Sequence, residues 1–233
     1  FGEERALDLL AESGLAVSTL FYAGGFTGSD GRTLHESIED TIDALRLAAA
    51  ADAGSLILFA GGRNNHIQRH AERLLRTALD ELLPLAEIFG VPLPLKPKHA
   101  ACAAEWSFLT DLPETLAFVQ QYDSPWLKLV YDTYQFPHAI SSSEFVSELI
   151  PHLGLVHVAD GRVPPSVDEA QCIPGEGRVP LESIVLALLE GGYDGDFDVR
   201  LSGPEIEAAC NFDLLRQSQR MMSECLSSMA RSG

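Results

Sequence analysis

Long hydrophobic runs are missing from this chain. The longest apolar stretch, LRLAAAADAGSLILFAGG, is interrupted by Arg46, Asp52 and Gly54, so nothing reaches the roughly 18–20 apolar residues that a bilayer-spanning helix needs. No membrane partner is expected. A signal peptide is also missing, because the chain opens directly into an amphipathic helix pattern; the expectation is a cytoplasmic protein, or one whose true N-terminus precedes Phe1. Cysteine is scarce. Cys102, Cys172, Cys210 and Cys225 show no C-x-x-C spacing, which excludes a disulfide framework and a zinc knuckle and suits reduced intracellular thiols. Basic residues are few, 16 against 34 acidic ones, for a net charge of −18. Nucleic acid is therefore excluded as a partner, since phosphate binding needs clustered Lys and Arg. Neither G-x-G-x-x-G after a strand nor G-x-x-x-x-G-K-[ST] occurs, so a nucleotide-binding fold has no support.

What is present is an ordinary globular composition: 233 residues, 46% apolar and 21% charged. That length buries a sizeable core and fits one α/β domain, 1–233, rather than two. Helix and strand patterns alternate. EERALDLLAE (3–12) is helical and closed by Gly14; LAVSTLFYAGG (15–25) reads as a strand. Residues 33–53 form an amphipathic helix with Ile38, Ile42 and Leu45 on one face, and Thr33 with Glu36 has capping-box spacing. SLILFAGG (55–62) is a buried strand, and 67–90 is a long helix closed by Gly90. Then follow strand PLPLK, helix 112–122, strand 127–133, helix 142–154, strand 155–160, a long loop to Pro180, helix 181–192, strand 197–201 and a helix from about Glu205. Six strands, each followed by a helix, imply a parallel sheet with right-handed crossovers and both faces covered. Polar residues gather just after the strands: Arg63 and His66, Lys96 and His99, Asp132 and Gln135, His157 and Asp160, and Arg200. A (β/α) barrel places active sites at that C-terminal rim, which favours a barrel over a doubly wound sheet.

Four segments carry a closer likeness. YDTYQF (131–136), LVHVADGR (155–162), IPGEGRVPLESIVLALLEGGYDG (173–195) and DVRLSGPEIE (198–207) resemble the xylose-isomerase-like TIM barrels, the sugar isomerase/epimerase superfamily. YAGGFTGSDGR and FAGGRNNH fit more loosely. The resemblance implies a (β/α)8 TIM barrel in which the first strand here corresponds to the family's third, with a strand–helix–strand missing from the N-terminal side.

The resemblance also implies a site. Family members hold one divalent metal through a glutamate, an aspartate, a histidine and a second glutamate at consecutive strand ends. The metal polarises the substrate oxygens, and the two glutamates move a proton beside the carbonyl. Asp132 matches the family aspartate and His157 the family histidine. Lys96 of LPLKPKH and Arg200 of DVRLSGP fall where the glutamates belong, and Gln135 falls on a substrate-contacting histidine. Two acid-to-base changes turn a strongly anionic ligand set into one near +1, and a divalent ion there is repelled by several kcal/mol. No cofactor is expected. Were one present, it would be a single Mn, Mg or Zn ion at Asp132 and His157.

Each residue has a plainer role beside the sharper one. Lys96 and Arg200 are partners of Asp132 in an internal ion-pair network, or ligand contacts, or direct participants in chemistry; Lys96 near a second cation suits a Schiff base. His157 is a satisfied core histidine or a ligand. Arg63, His66, His99, Gln135, Arg162 and Glu176 are ligand-binding candidates; Glu176 could instead hold its loop, and His70 belongs to a helix surface. The expected function is an isomerase- or epimerase-like protein acting on or binding a small sugar or sugar acid. The alternative is a non-catalytic paralogue that binds an anionic small ligand or a protein partner. A DNA-repair endonuclease of the related type lacks its metal ligands and basic face here, and a homo-oligomer is left open.

Overall fold

The computed structural model describes residues 2–167 and 170–232. The chain divides into two compact units, Phe1–Val130 and Tyr131–Gly233. The first holds α1 (Glu3–Ser13), β1 (Leu20–Gly24), α2 (Leu34–Ala50), β2 (Leu56–Phe59), α3 (Gln68–Phe89), β3 (Leu93–Leu95), α4 (Leu112–Gln120) and most of β4 (Leu127–Asp132). The second holds α5 (Ser143–Leu149), β5 (Leu153–Val158), α6 (Leu181–Glu190), β6 (Phe197–Val199), α7 (Pro204–Glu207) and α8 (Asn211–Ser232). The strand order is β1-β2-β3-β4-β5-β6, and the registered pairs β1–β2, β2–β3, β3–β4 and β5–β6 are parallel.

In the first unit the strands are short and mostly apolar. Leu56, Ile57 and Leu58 have no exposure at all, which a strand requires when helices cover both faces. α2 starts where its capping box predicts: Thr33 Oγ1 accepts from the Glu36 N–H at 3.2 Å, and Glu36 Oε2 accepts from the Thr33 N–H at 2.8 Å. α3 buries Ala71, Leu75, Ala78, Leu79, Leu82 and Ala86 along one stripe and stops at Gly90, whose φ is 71°. β1 is shorter than the strand expected over 15–25. It is the first strand of the sheet, and the residues before it carry an exposed Leu15 rather than a buried alternation.

In the second unit the expected helix 142–154 ends at Leu149, and a 3-10 turn over Ile150–His152 replaces its last stretch. Pro151 has no N–H with which to continue the ladder, so β5 begins at Leu153, earlier than 155. The expected final helix is two: α7 is a single turn, and α8 restarts with the N–H groups of Asp213 and Leu214 on Cys210 O. α6 buries Leu181, Ile184, Val185 and Leu188.

Gly24 shows how tightly β1 meets β2. Its φ is +115°, and a Cβ there would stand 2.1 Å from Phe59 O. Gly24→Ala is expected to cost about 3 kcal/mol through strain and clash together. Gly31→Ala, where φ is +87° but no atom lies within 4 Å, should cost about 1 kcal/mol. Urea denaturation of the two variants tests the difference.

Candidate functional site

Three segments of the first unit deliver rings to one place. Tyr22 comes from β1, Phe59 from the end of β2, and Trp106 from the loop after β3. The ring centroids are 5.1 Å apart for Tyr22–Phe59, 5.2 Å for Tyr22–Trp106 and 5.2 Å for Phe59–Trp106, all edge-on or tilted as the ring quadrupoles favour. Lys98 points its ammonium at the same cluster, with Nζ 5.6 Å from the Phe59 centroid and 5.2 Å from the Trp106 centroid. Lys96 and Lys98 are both fully buried. Removing an ammonium from water is costly without compensating contacts, and two aromatic faces supply part of what Lys98 needs.

Beside the rings is a cavity of about 200 Å³, lined by Tyr22, Phe59, Trp106, Glu105, Asp30 and Arg32 among others. Tyr22 stays 46% exposed, so the wall it forms is open to solvent. Arg32 is fixed there: Nη2 donates to Gly24 O at 2.8 Å and to Asp30 Oδ2 at 2.6 Å, and the Asp30 hydrogen bond raises its pKa further above the ordinary guanidinium value. Aromatic faces, carboxylate acceptors and a cationic donor thus face one small space.

The other expected residues of this unit hold loops. His66 Nε2 lies 3.1 Å from Thr27 O, and Asn64 Nδ2 donates to Gly28 O at 3.0 Å; together they tie the loop after β2 to the loop after β1. Arg63 is exposed. His99 caps the 3-10 turn Ala100–Cys102, its Nδ1 accepting from the Ala101 N–H at 3.3 Å.

In the second unit a buried polar row crosses the strand ends. Asp132 Oδ1 accepts from the N–H groups of Tyr134 and Gln135, each at 3.1 Å. Its Oδ2 lies 3.8 Å from His157 Nδ1, and His157 Nε2 lies 3.5 Å from Asp198 Oδ2. His157 therefore stands between two carboxylates. Asp198 was not among the expected residues. Its signal is the period-2 alternation of FDVRL, which puts Asp198 on the face of Arg200, and the register pairs it with His157. Arg200 Nη1 donates to Ser202 Oγ at 3.4 Å. Burial, helped by the neighbouring Asp132 carboxylate, raises the Tyr131 hydroxyl far above its usual range, so this phenol keeps its proton and donates to Phe136 O at 3.1 Å.

Asp160 organises the loop that follows. Its Oδ1 accepts from Gly161 N at 2.8 Å and Val179 N at 3.0 Å; its Oδ2 accepts from Gly175 N and Gly177 N, each at 2.9 Å. Four backbone donors converge on one carboxylate. Glu176 lies on the outer side instead, 2.8 Å from Arg162 Nη2, and Arg162 Nη1 also bonds Glu205. Cys172 beside them is buried, and desolvation, reinforced by Asp160, pushes its thiol up to about 11; it stays a thiol at neutral pH.

In the second unit Asp132 and His157 carry donors that suit a divalent metal, whereas the Arg200 guanidinium has no lone pair to offer. Among the described residues, no group of three or more His, Cys, Asp or Glu is placed to hold a metal ion. No helix among them is long and apolar enough to cross a membrane.

Parallel strands with interleaved helices, and polar side chains gathered at the strands' C-terminal ends, define an α/β protein of the TIM-barrel class. The chain belongs to the xylose isomerase-like TIM barrel family, whose sequence pattern it matches over residues 3–225. Comparison with curated proteins gives no match. Among solved structures it is similar to protein SMc04130 from Sinorhizobium meliloti 1021, with a TM-score of 0.86 and 21% identity over 96% of this chain and 83% of the other. It is also similar to an IolI protein with a bound zinc atom (TM-score 0.79, 19% identity, 96% and 82% covered). A third is an L-ribulose 3-epimerase (TM-score 0.79, 17% identity, 100% and 82% covered).

The two roles in the loop can be separated. Asp160→Asn leaves one oxygen for four donors and is expected to cost about 3 kcal/mol, with faster proteolysis between residues 161 and 180. Glu176→Gln, at an exposed pair, should cost less than about 1 kcal/mol. Thermal melts and limited trypsin digestion check both.

Proposed function

We propose that the chain binds a small sugar or sugar acid at the strand ends, as an isomerase- or epimerase-like member of its family, and that the family's divalent-metal centre has been lost from it. The reading is carried by the aromatic cluster Tyr22–Phe59–Trp106 beside buried Lys98, at the cavity lined also by Glu105 and Arg32. Sugar rings present apolar C–H faces and a rim of hydroxyls. A ring wall with a few convergent polar groups suits both, and such concave sites are the usual form of a small-molecule pocket. Membership of the xylose isomerase-like family supports a sugar-like ligand.

Loss of the metal rests on residue type. Lys96 and Arg200 occupy the two positions where the family's glutamates stand, and a dication beside two fixed cations is repelled. Lys96, fully buried, is the candidate group for carbonyl chemistry through a Schiff base. Gln135, Asp132 and His157 are ligand candidates at the strand ends of the second unit; Arg63, His66 and His99 are candidates on loops of the first, and Arg162 and Glu176 on a loop of the second. The whole of 1–233 acts as one domain.

Tryptophan fluorescence titration against neutral sugars and sugar acids is expected to show saturable quenching that Trp106→Phe removes and Arg32→Met weakens at least about tenfold, by loss of a charged donor lining the cavity. Trp126 is retained in both variants and supplies the control signal. No saturable ligand across the panel would sink the sugar site. Stoichiometric Mn or Zn in the purified protein, lost in Asp132→Asn, would overturn the account of the metal.

A further inference from the structure

The start of α3 gathers positive charge that neither the fold nor the sugar site uses. Residues 63–76, RNNHIQRHAERLLR, hold four of the 16 basic residues, Arg63, Arg69, Arg73 and Arg76, with two histidines and one acid, Glu72, in a chain of net charge −18. Arg76 is engaged elsewhere: Nη2 donates to Gln121 Oε1 at 2.6 Å, and the guanidinium lies 4.5 Å from the Phe118 ring centroid. Glu72 takes a hydrogen bond from Gln68 at 3.1 Å. Among the described residues, no ion pair involves Arg69 or Arg73. A cavity of about 510 Å³ is lined by Asn65, His66, Ile67, Arg69, His70 and Arg73.

The donors are oriented. Arg73 Nη2 lies 2.6 Å from His70 Nδ1; guanidinium only donates, so Nδ1 accepts and the His70 proton sits on Nε2. His66 Nε2 lies 3.1 Å from Thr27 O, a pure acceptor, which fixes its N–H there. The two imidazoles are 4.6 Å apart. Desolvation first, then the charges of Arg73 and His66, lower the His70 pKa, as expected where cations crowd without a counter-charge.

We propose that Arg69, His70 and Arg73, beside His66, form a phosphate-binding site that takes a phosphoryl group. Two guanidinium groups and the His70 Nε2–H line one cavity, and several donors suit the three or more oxygens of a phosphate better than the single edge of a carboxylate. The group comes from inorganic phosphate or from the ester of a small sugar phosphate. The site is distinct from the aromatic cavity, so its failure leaves the sugar site standing, and loss of sugar binding leaves this site standing.

Histidine ring-proton NMR of the whole chain tests it, with inorganic phosphate titrated against sodium chloride at matched ionic strength and fixed near-neutral pH. His66→Asn and His70→Asn assign the signals. The expected result is saturable movement of the His66 and His70 signals by phosphate alone, with exposed His35 unmoved, and at least about tenfold weaker binding in Arg69→Gln/Arg73→Gln. A second arm uses glucose 6-phosphate: binding at least about tenfold tighter than phosphate assigns the ester, and equal binding assigns the free ion. Movement that chloride reproduces, that does not saturate, or that survives in the double-arginine variant overturns the proposal, provided the variant's circular dichroism matches the parent.

Discussion

Desolvation at the ends of buried parallel strands is the constraint on which the site residues depend. A strand covered on both faces leaves its last residues inside the protein, so any polar side chain delivered there must meet a fixed partner or lose its hydration without return. In the first unit Lys98 meets two aromatic faces. In the second, Asp132 accepts two backbone N–H groups and Asp160 accepts four. Such partners also make a site rigid, because each contact fixes a rotamer before any ligand arrives.

The same constraint separates residues that hold the site from residues that face it. Asp160 and His99 are spent on backbone: one gathers the loop from Gly175 to Val179, the other starts a 3-10 turn. Arg162 is shared by Glu176 and Glu205 on the outer surface, where such pairs are worth little individually. Tyr22, Trp106, Glu105 and Arg32 line an open space instead. Position after a strand therefore predicts location at the rim but not occupation. Occupation depends on which acceptors and donors the neighbouring loop happens to present.

Much of the fold was legible without coordinates. The α2 capping box, the Gly90 stop of α3, the apolar stripe of Leu75, Leu79 and Leu82, and the all-apolar β2 follow from local spacing alone. The misjudged boundaries have local causes as well, such as Pro151 ending a helix early. Of the site, Asp132 and His157 could be singled out on their strands, and their 3.8 Å approach is a tertiary fact. Asp198 was overlooked because a half-exposed aspartate on a short strand looks like surface, and only the β5–β6 register sets it against His157.

Sequence by itself determined the alternation of strands and helices, the family, and the placing of Lys96 and Arg200 near the ends of apolar runs. These depend on residue type and on spacings within one element or one turn. Tertiary structure alone decided that Tyr22, Phe59 and Trp106 form one ring cluster, that Lys98 faces it, and that Asp160 rather than Glu176 holds the PGEG loop. Those contacts join residues up to 84 positions apart, from Tyr22 to Trp106. Strand register and loop path set such distances, and no local periodicity records them.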